Sequence, residues 1–133
     1  MEYAFDTNII IHFIKGTHSV LKNRDIAVLY NARFIIPPFV NYEIRRGLMI
    51  QPVPKRLLAY DLICKDCAVE EMTTVCWLNA ADIYVDLYLK HLTVSDSDII
   101  IAAFCLVNGY TLVTDNIKDY KNISGLKYTN WID

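Results

Sequence analysis

The stretch that decides the fold is YAFDTNIIIHFIKG, residues 3–16. Its first three residues form a short aromatic and apolar run, which favours a β-strand. Asp6, Thr7 and Asn8 follow, and these residue types commonly begin helices because their side chains accept hydrogen bonds from free backbone amides. The dense apolar residues after Asn8 predict a helix that is buried on several sides and ends at Gly16.

The rest of the chain repeats this alternation of strands and helices. Further strands are predicted over residues 34–36, 68–72, 112–113 and 126–128, and helices over 20–29, 40–50, 55–65, 74–91 and 96–107. Strands that alternate with helices form parallel sheets covered on both faces. We therefore expect an α/β fold of three layers, with a central, mostly parallel twisted sheet of four to five strands flanked by helices, in one domain over residues 1–133.

The composition excludes several classes of protein. The 133 residues are 54% hydrophobic and 21% charged, which is too apolar for a disordered chain. The chain has 13 Lys and Arg and 15 Asp and Glu, so its net charge gives no overall positive field that would indicate nucleic-acid binding. Any contact with a nucleic acid must therefore use a local basic patch. A mean hydropathy of +0.25 suggests that a partner or second subunit covers some apolar surface.

The sequence also bears on location. The first residues lack the basic and apolar regions of a signal peptide. The longest uncharged stretch, residues 99–114, is shorter than the roughly 20 residues that a spanning helix needs, and Asn108 and Gly109 interrupt it. We expect a cytoplasmic protein without membrane contact, in which the four cysteines are reduced.

Acidic residues follow the predicted strands at the edge where parallel sheets bind ligands. They lie after the first strand, in the helix after the second strand, at the start of a late helix and after the fourth strand: Asp6, Glu43, Asp98 and Asp115. Any one of them could simply cap a helix. Held together, however, they would repel and raise one another's pKa unless a cation compensated them. Oxygen ligands suit Mg²⁺ or Mn²⁺, and such sites hydrolyse phosphodiesters.

Four short runs strengthen this interpretation. They are Asp6-Thr7-Asn8, Glu43-Ile44-Arg45-Arg46-Gly47, Asp98-Ile99-Ile100-Ile101-Ala102-Ala103 and Leu112-Val113-Thr114-Asp115-Asn116. In this order and spacing, the chain resembles PIN-domain ribonucleases and looks like a VapC-type toxin along its whole length. The resemblance implies a PIN-like fold and a Mg²⁺- or Mn²⁺-dependent endoribonuclease that uses metal-activated water.

The resemblance also implies roles for single residues. The four acids would be the catalytic metal ligands, with Asp96 as an alternative or supplement to Asp98. Asn8 would support Asp6, while Thr114 and Asn116 would brace the last acid and the end of its strand. The family further implies a homodimer and a VapB-like antitoxin whose tail lies in a groove between helices and blocks the acidic pocket.

Several basic residues are candidates for RNA contact. Arg45 and Arg46 follow Glu43 on one helix, and lysines follow the fourth strand at Lys118, Lys121 and Lys127. A solvated surface explains them nearly as well, with Arg46 reaching back to Glu43 at helical spacing.

Other functions stay open at this stage. The chain could be a PIN-fold nuclease that acts on DNA or structured nucleic acid, or a non-catalytic PIN-like binding module. A haloacid-dehalogenase-type phosphatase is disfavoured because its second aspartate would fall at Asn8. The CxxC pair, Cys64 and Cys67, suggests zinc or redox chemistry, but it stands alone and ends a predicted helix, so buried or incidental thiols fit better.

Overall fold

A five-stranded sheet lies at the centre of the molecule. The computed structural model describes residues 1–133, and its strands are β1 (Glu2–Phe5), β2 (Arg33–Ile36), β3 (Ala68–Val69), β4 (Thr111–Val113) and β5 (Tyr128–Thr129). Their spatial order is β3-β2-β1-β4-β5, and each neighbouring pair is parallel. The predicted α/β fold with a parallel sheet is confirmed, although β3 is shorter than predicted and β5 begins two residues later.

Seven helices connect the strands. They are α1 (Thr7–Lys15), α2 (His18–Leu29), α3 (Pro38–Ile50), α4 (Pro54–Lys65), α5 (Thr74–Leu89), α6 (Asp96–Asn108) and α7 (Ile117–Tyr120). Six of them match predicted helices to within two residues at either end, and α7 was not predicted. The helices α3 and α4 begin at prolines, because a proline in the first turn lacks only an amide that would have no partner there. None of the seven combines the length and apolar character needed to cross a bilayer.

The chain order creates a crevice between β1 and β4. Strands are added outward from β1 to β2 and β3, and the chain then returns past β1 to add β4 and β5. Because crossovers between parallel strands are right-handed, connections that run in opposite directions along the sheet lie on opposite faces. Ligands of open parallel sheets bind at such a reversal, beyond the carboxyl ends of the strands. The register pairs Phe5 with Val113, so Asp6 and Thr114 leave the sheet side by side.

Two helices that carry acids of this edge, α1 and α6, are capped by side chains. Asp6 is the N-cap of α1 and accepts a hydrogen bond from the Thr7 amide at 2.9 Å. Ser95 is the N-cap of α6 and accepts a hydrogen bond from the Asp98 amide at 3.3 Å. Helix amino termini carry partial positive charge, so both caps lie where acidic side chains are favoured.

Candidate active site

Asp6 is the most deeply buried acid of the chain, with 6% of its surface exposed. Its Oδ2 accepts a hydrogen bond of 2.7 Å from Thr114 Oγ1, and Thr114 is itself fully buried. Burial raises the pKa of Asp6 to about 6, even though hydrogen bonds from Thr114 and the Thr7 amide act in the opposite direction. The negative charges of Asp98 and Asp115 raise it further, so these three carboxyl groups interact electrostatically.

Asp98 is half-buried, and both of its carboxylate oxygens accept hydrogen bonds. Asn116 Nδ2 donates to Oδ2 at 3.0 Å, and the hydroxyl of Tyr120 donates to Oδ1 at 3.1 Å. The pKa of Asp98 is raised, chiefly by burial. Asp96 is exposed and makes no side-chain hydrogen bond, so Asp98 is the aspartate of α6 that joins the cluster.

Glu43 joins the site through Thr7. The Thr7 hydroxyl donates to Glu43 Oε1 at 2.8 Å and thereby links α3 to the first turn of α1. Arg46 Nη2 lies 3.7 Å from Glu43 Oε2, which is the helical pairing expected for a solvated face. Glu43 is therefore the one predicted acid whose charge is paired with a basic side chain.

Asp115 lies at the exposed rim of the cluster. Its Oδ1 accepts a hydrogen bond of 3.3 Å from Asn8 Nδ2. The supporting contacts therefore differ from those expected. Asn8 contacts Asp115 rather than Asp6, Thr114 contacts Asp6 rather than Asp115, and the Asn116 side chain contacts Asp98 rather than Asp115. The reason is geometric, because Thr114 leaves β4 beside the end of β1, whereas Asn8 has already turned outward on α1.

One acidic residue was missed by the sequence analysis. Asp119 on α7 accepts a hydrogen bond of 3.3 Å from Asn116 Nδ2, the same nitrogen that donates to Asp98. The negative charge of Asp119 raises the pKa of Asp98. Because α7 has only four residues, no periodic pattern reveals it, and the one available signal was the spacing of Asp119 one turn after Asn116.

The donor chemistry of this cluster fits a hard divalent cation. The side chains are carboxylates with hydroxyl and amide neighbours, and no Lys or Arg pairs with Asp6, Asp98, Asp115 or Asp119. This leaves negative charge that a cation would balance. No three acidic, histidine or cysteine side chains are arranged as a closed metal site, since each carboxylate turns to a neutral hydrogen-bond donor. Ligation would require the acids at the rim, such as the exposed Asp115, to turn toward Asp6 and Asp98.

The candidate RNA contacts differ in how fully they are engaged. Arg45 stacks on the ring of Tyr60 at 5.1 Å and donates to Asn41 at 3.1 Å, so its guanidinium is held against α4. Arg46 lies over the ring of Tyr42 at 4.9 Å. Three lysines after β4 are exposed: Lys118, Lys121 and Lys127, the last of which donates to the Gly109 carbonyl.

The CxxC pair belongs to no cluster of metal-ligating side chains. Cys64 lies in the last turn of α4, Cys67 follows that helix, and both are free thiols. Burial raises the pKa of Cys67 to about 12, which disfavours the thiolate that redox and metal chemistry need.

Comparison with protein-family models identifies a family whose model spans the residues of the acidic cluster. The family model described as the PIN domain matches residues 3–126, which include the whole acidic cluster. The chain belongs to the PIN-domain family. Among curated relatives, this PIN chain is 26% identical over 133 residues to Ribonuclease VapC2 of Rickettsia felis, with 98% of each chain covered. It is 29% identical to Ribonuclease VapC1 of the same organism, covering 96% of this chain and 94% of the relative.

Solved structures share the fold of this PIN chain. VapBC2 from Rickettsia felis, solved bound to a DNA fragment from its promoter, contains a chain that matches with a TM-score of 0.91 and 26% identity, covering 98% of this chain and 99% of that one. A chain of VapBC-1 from nontypeable Haemophilus influenzae matches with a TM-score of 0.86 and 24% identity, with 98% of each chain covered.

Proposed function

We propose that this protein is a Mg²⁺- or Mn²⁺-dependent endoribonuclease and the toxin of a VapBC-type toxin-antitoxin pair in the cytoplasm. The observation that carries the proposal is the unpaired acidic cluster at the crevice between β1 and β4. Burial of Asp6 at this crevice disfavours its ionised form, and the negative charges of Asp98 and Asp115 disfavour it further. A stable fold has no need of such an arrangement, whereas a cation site does.

Different side chains of the site would bind the metal ion and the RNA. Asp6 is fixed in place by Thr114 and the Thr7 amide, and Asp98 by Asn116 and Tyr120, so these two would be the main ligands. The acids at the rim would complete the ligand set: Glu43, Asp115 and Asp119. A bound ion supplies charge neutralisation at the scissile phosphate and lowers the pKa of the attacking water. The exposed lysines Lys118 and Lys121 would hold the RNA backbone nearby.

Two considerations support RNA as the substrate and an antitoxin as the partner. The curated relatives are named ribonucleases, and the match covers nearly the whole of each chain. A groove of about 320 Å³ lies between α1, α3 and α4, and its walls include Thr7 and Glu43 as well as apolar side chains such as Ile11 and Leu48. A tail lying in this groove would therefore reach the acidic cluster, as expected of a VapB-like antitoxin.

The nuclease proposal is tested by two neighbouring substitutions on α6. We expect Asp98→Asn to reduce Mn²⁺-dependent cleavage of single-stranded RNA about 100-fold or more, because it removes a charged ligand. Asp96→Asn, at an exposed aspartate two residues away, should leave cleavage nearly unchanged. Gel analysis of RNA and matching DNA oligonucleotides, with Mn²⁺ or with EDTA, measures both. RNA cleavage that persists in EDTA and in Asp98→Asn would contradict the proposal.

The toxin proposal is tested in growing cells. Induced expression should arrest growth, and Asp98→Asn should relieve the arrest. A co-expressed antitoxin should protect cells from the wild type but not from Ile11→Arg, because a charged side chain obstructs the groove while leaving the acids untouched. Leu58→Arg, on the exposed face of α4 away from the groove lining, serves as the control and should remain subject to the antitoxin. Protection of Ile11→Arg would place the antitoxin elsewhere.

A further inference from the structure

Tyr120 is a buried residue with an unusual polar contact. It ends α7 and is fully buried, yet its hydroxyl reaches the acidic cluster and donates to Asp98 Oδ1 at 3.1 Å. A buried tyrosine needs a partner for its hydroxyl, and here that partner is a carboxylate which itself is only half-buried. Packing of the ring alone does not account for the hydroxyl, because a phenylalanine would fill the same buried space without needing a polar partner.

The two donors to Asp98 come from different positions and fix its carboxylate plane. Asn116 binds Oδ2 from the start of α7, and Tyr120 binds Oδ1 from its end. Asn116 is a shared donor, because the same nitrogen also serves Asp119 at 3.3 Å. The Tyr120 hydroxyl makes no second side-chain hydrogen bond and is held by a ring packed in the core, so it is the more rigid of the two.

We propose that Tyr120 is a positioning residue whose hydroxyl orients Asp98 for metal binding, an inference that rests on the proposed function. Groups that hydrogen-bond a ligating carboxylate fix its direction and strengthen metal binding, and losing one typically costs about 10-fold to 100-fold in affinity. With Tyr120 in place, Oδ1 is held toward α7, and each oxygen of Asp98 accepts one side-chain hydrogen bond, which leaves a lone pair on each for a cation.

Tyr120→Phe is the matched test, since it keeps the buried ring and removes only the oxygen. Mn²⁺ binding is measured by titration calorimetry without RNA, and we expect it to weaken about 10-fold or more. Cleavage by Tyr120→Phe should return to within about threefold of the wild-type rate at saturating Mn²⁺, because the ligand is misdirected rather than lost. In an Asp98→Asn background, Tyr120→Phe should cause no further weakening. Tyr128→Phe, at an exposed tyrosine without a hydroxyl partner, should bind Mn²⁺ like the wild type.

The outcomes of these measurements distinguish an error in the role of Tyr120 from an error in the proposed nuclease function. If the wild type binds Mn²⁺ and cleaves RNA but Tyr120→Phe binds Mn²⁺ equally well, the positioning role is overturned and the nuclease proposal stands. Equal weakening in the Asp98→Asn background also overturns it, because the effect would not pass through Asp98. If the wild type neither binds Mn²⁺ nor cleaves RNA, both proposals fail.

A crystal structure of the wild type with Mn²⁺ gives an answer that needs no variant. The Tyr120–Asp98 hydrogen bond should persist, and its loss in the metal-bound protein would overturn the inference.

Discussion

At the scale of single residues, Asp6 has two opposing effects on the stability of the folded protein. As the N-cap of α1 it stabilises the helix start, but its burial makes the ionised form costly. The pKa of about 6 in the folded protein compares with 3.8 for a free aspartate. Between these values the folded protein binds the Asp6 proton more tightly than the unfolded chain, so the contribution of Asp6 to stability falls as pH rises through this window and stays low above pH 6.

Replacing Asp6 with Asn should therefore stabilise the metal-free protein at neutral pH. The pKa difference sets an upper limit of about 3 kcal/mol. Because the amide turns one acceptor into a donor, we expect a net gain of about 1 to 2 kcal/mol at pH 7.5 and almost none near pH 4. Urea unfolding in EDTA measures the change, with Asp96→Asn as the control. An Asp6→Asn protein less stable than the wild type at pH 7.5 would show that the cap and hydrogen bonds outweigh the buried charge.

At the scale of elements, long periodic segments are predictable from the sequence and short ones are not. Helices α5 and α6 follow clear apolar spacing after Thr73 and Ser95, and the side chains of these two residues cap them. The four-residue α7 has no such pattern, so the sequence could not place Asp119 or Tyr120 at the site. The positions of the acids follow from strand ends, whereas their hydrogen-bond partners depend on side-chain directions that spacing does not encode.

Two glycines give a prediction about helix ends and interiors. Gly109 ends α6 with φ at +72°, and Gly47 lies inside α3, while an added methyl group would meet nothing within 4 Å at either position. Gly109→Ala should therefore lower the free energy of unfolding by about 1 kcal/mol through backbone strain alone. Gly47→Ala should raise it by about 0.5 to 1 kcal/mol because alanine favours helix. Chemical denaturation of both variants measures the difference, and effects of equal sign would contradict the backbone explanation.

At the scale of the whole molecule, the apolar residues exceed what the core contains. One core cluster of 31 buried residues packs around the sheet, yet α5 leaves a largely apolar stripe exposed, which the exposed Asp82 interrupts. The stripe residues recur at helical spacing: Val75, Leu78, Val85 and Leu89. Its neighbours Tyr84 and Tyr88 stack on each other with ring centroids 6.4 Å apart. We propose that the homodimer implied by the resemblance to VapC-type toxins covers this stripe with a second copy.

Charge on the α5 stripe should therefore disrupt self-association. We expect Leu78→Glu with Val85→Glu to weaken the dimer about 10-fold or more, because two carboxylates would meet an apolar or acidic surface of the partner copy. Sedimentation velocity over a concentration series measures this effect. Leu58→Glu with Leu62→Glu on α4, where 61% and 52% of the side chains are exposed, should leave the dimer intact. A wild-type protein that sediments as a monomer at all concentrations would contradict the homodimer.

The order of strands along the chain also determines when the acidic crevice can form during synthesis on the ribosome. β1 is made first, but its neighbour β4 and the hydroxyl of Thr114 arrive only after more than 100 further residues. Until then Asp6 faces water on that side, and Asp98 lacks the donors that α7 supplies. A nascent chain, or a fragment cut short before residue 111, therefore cannot assemble the acidic crevice, and the proposed nuclease activity has to wait until β4 and α7 have been made.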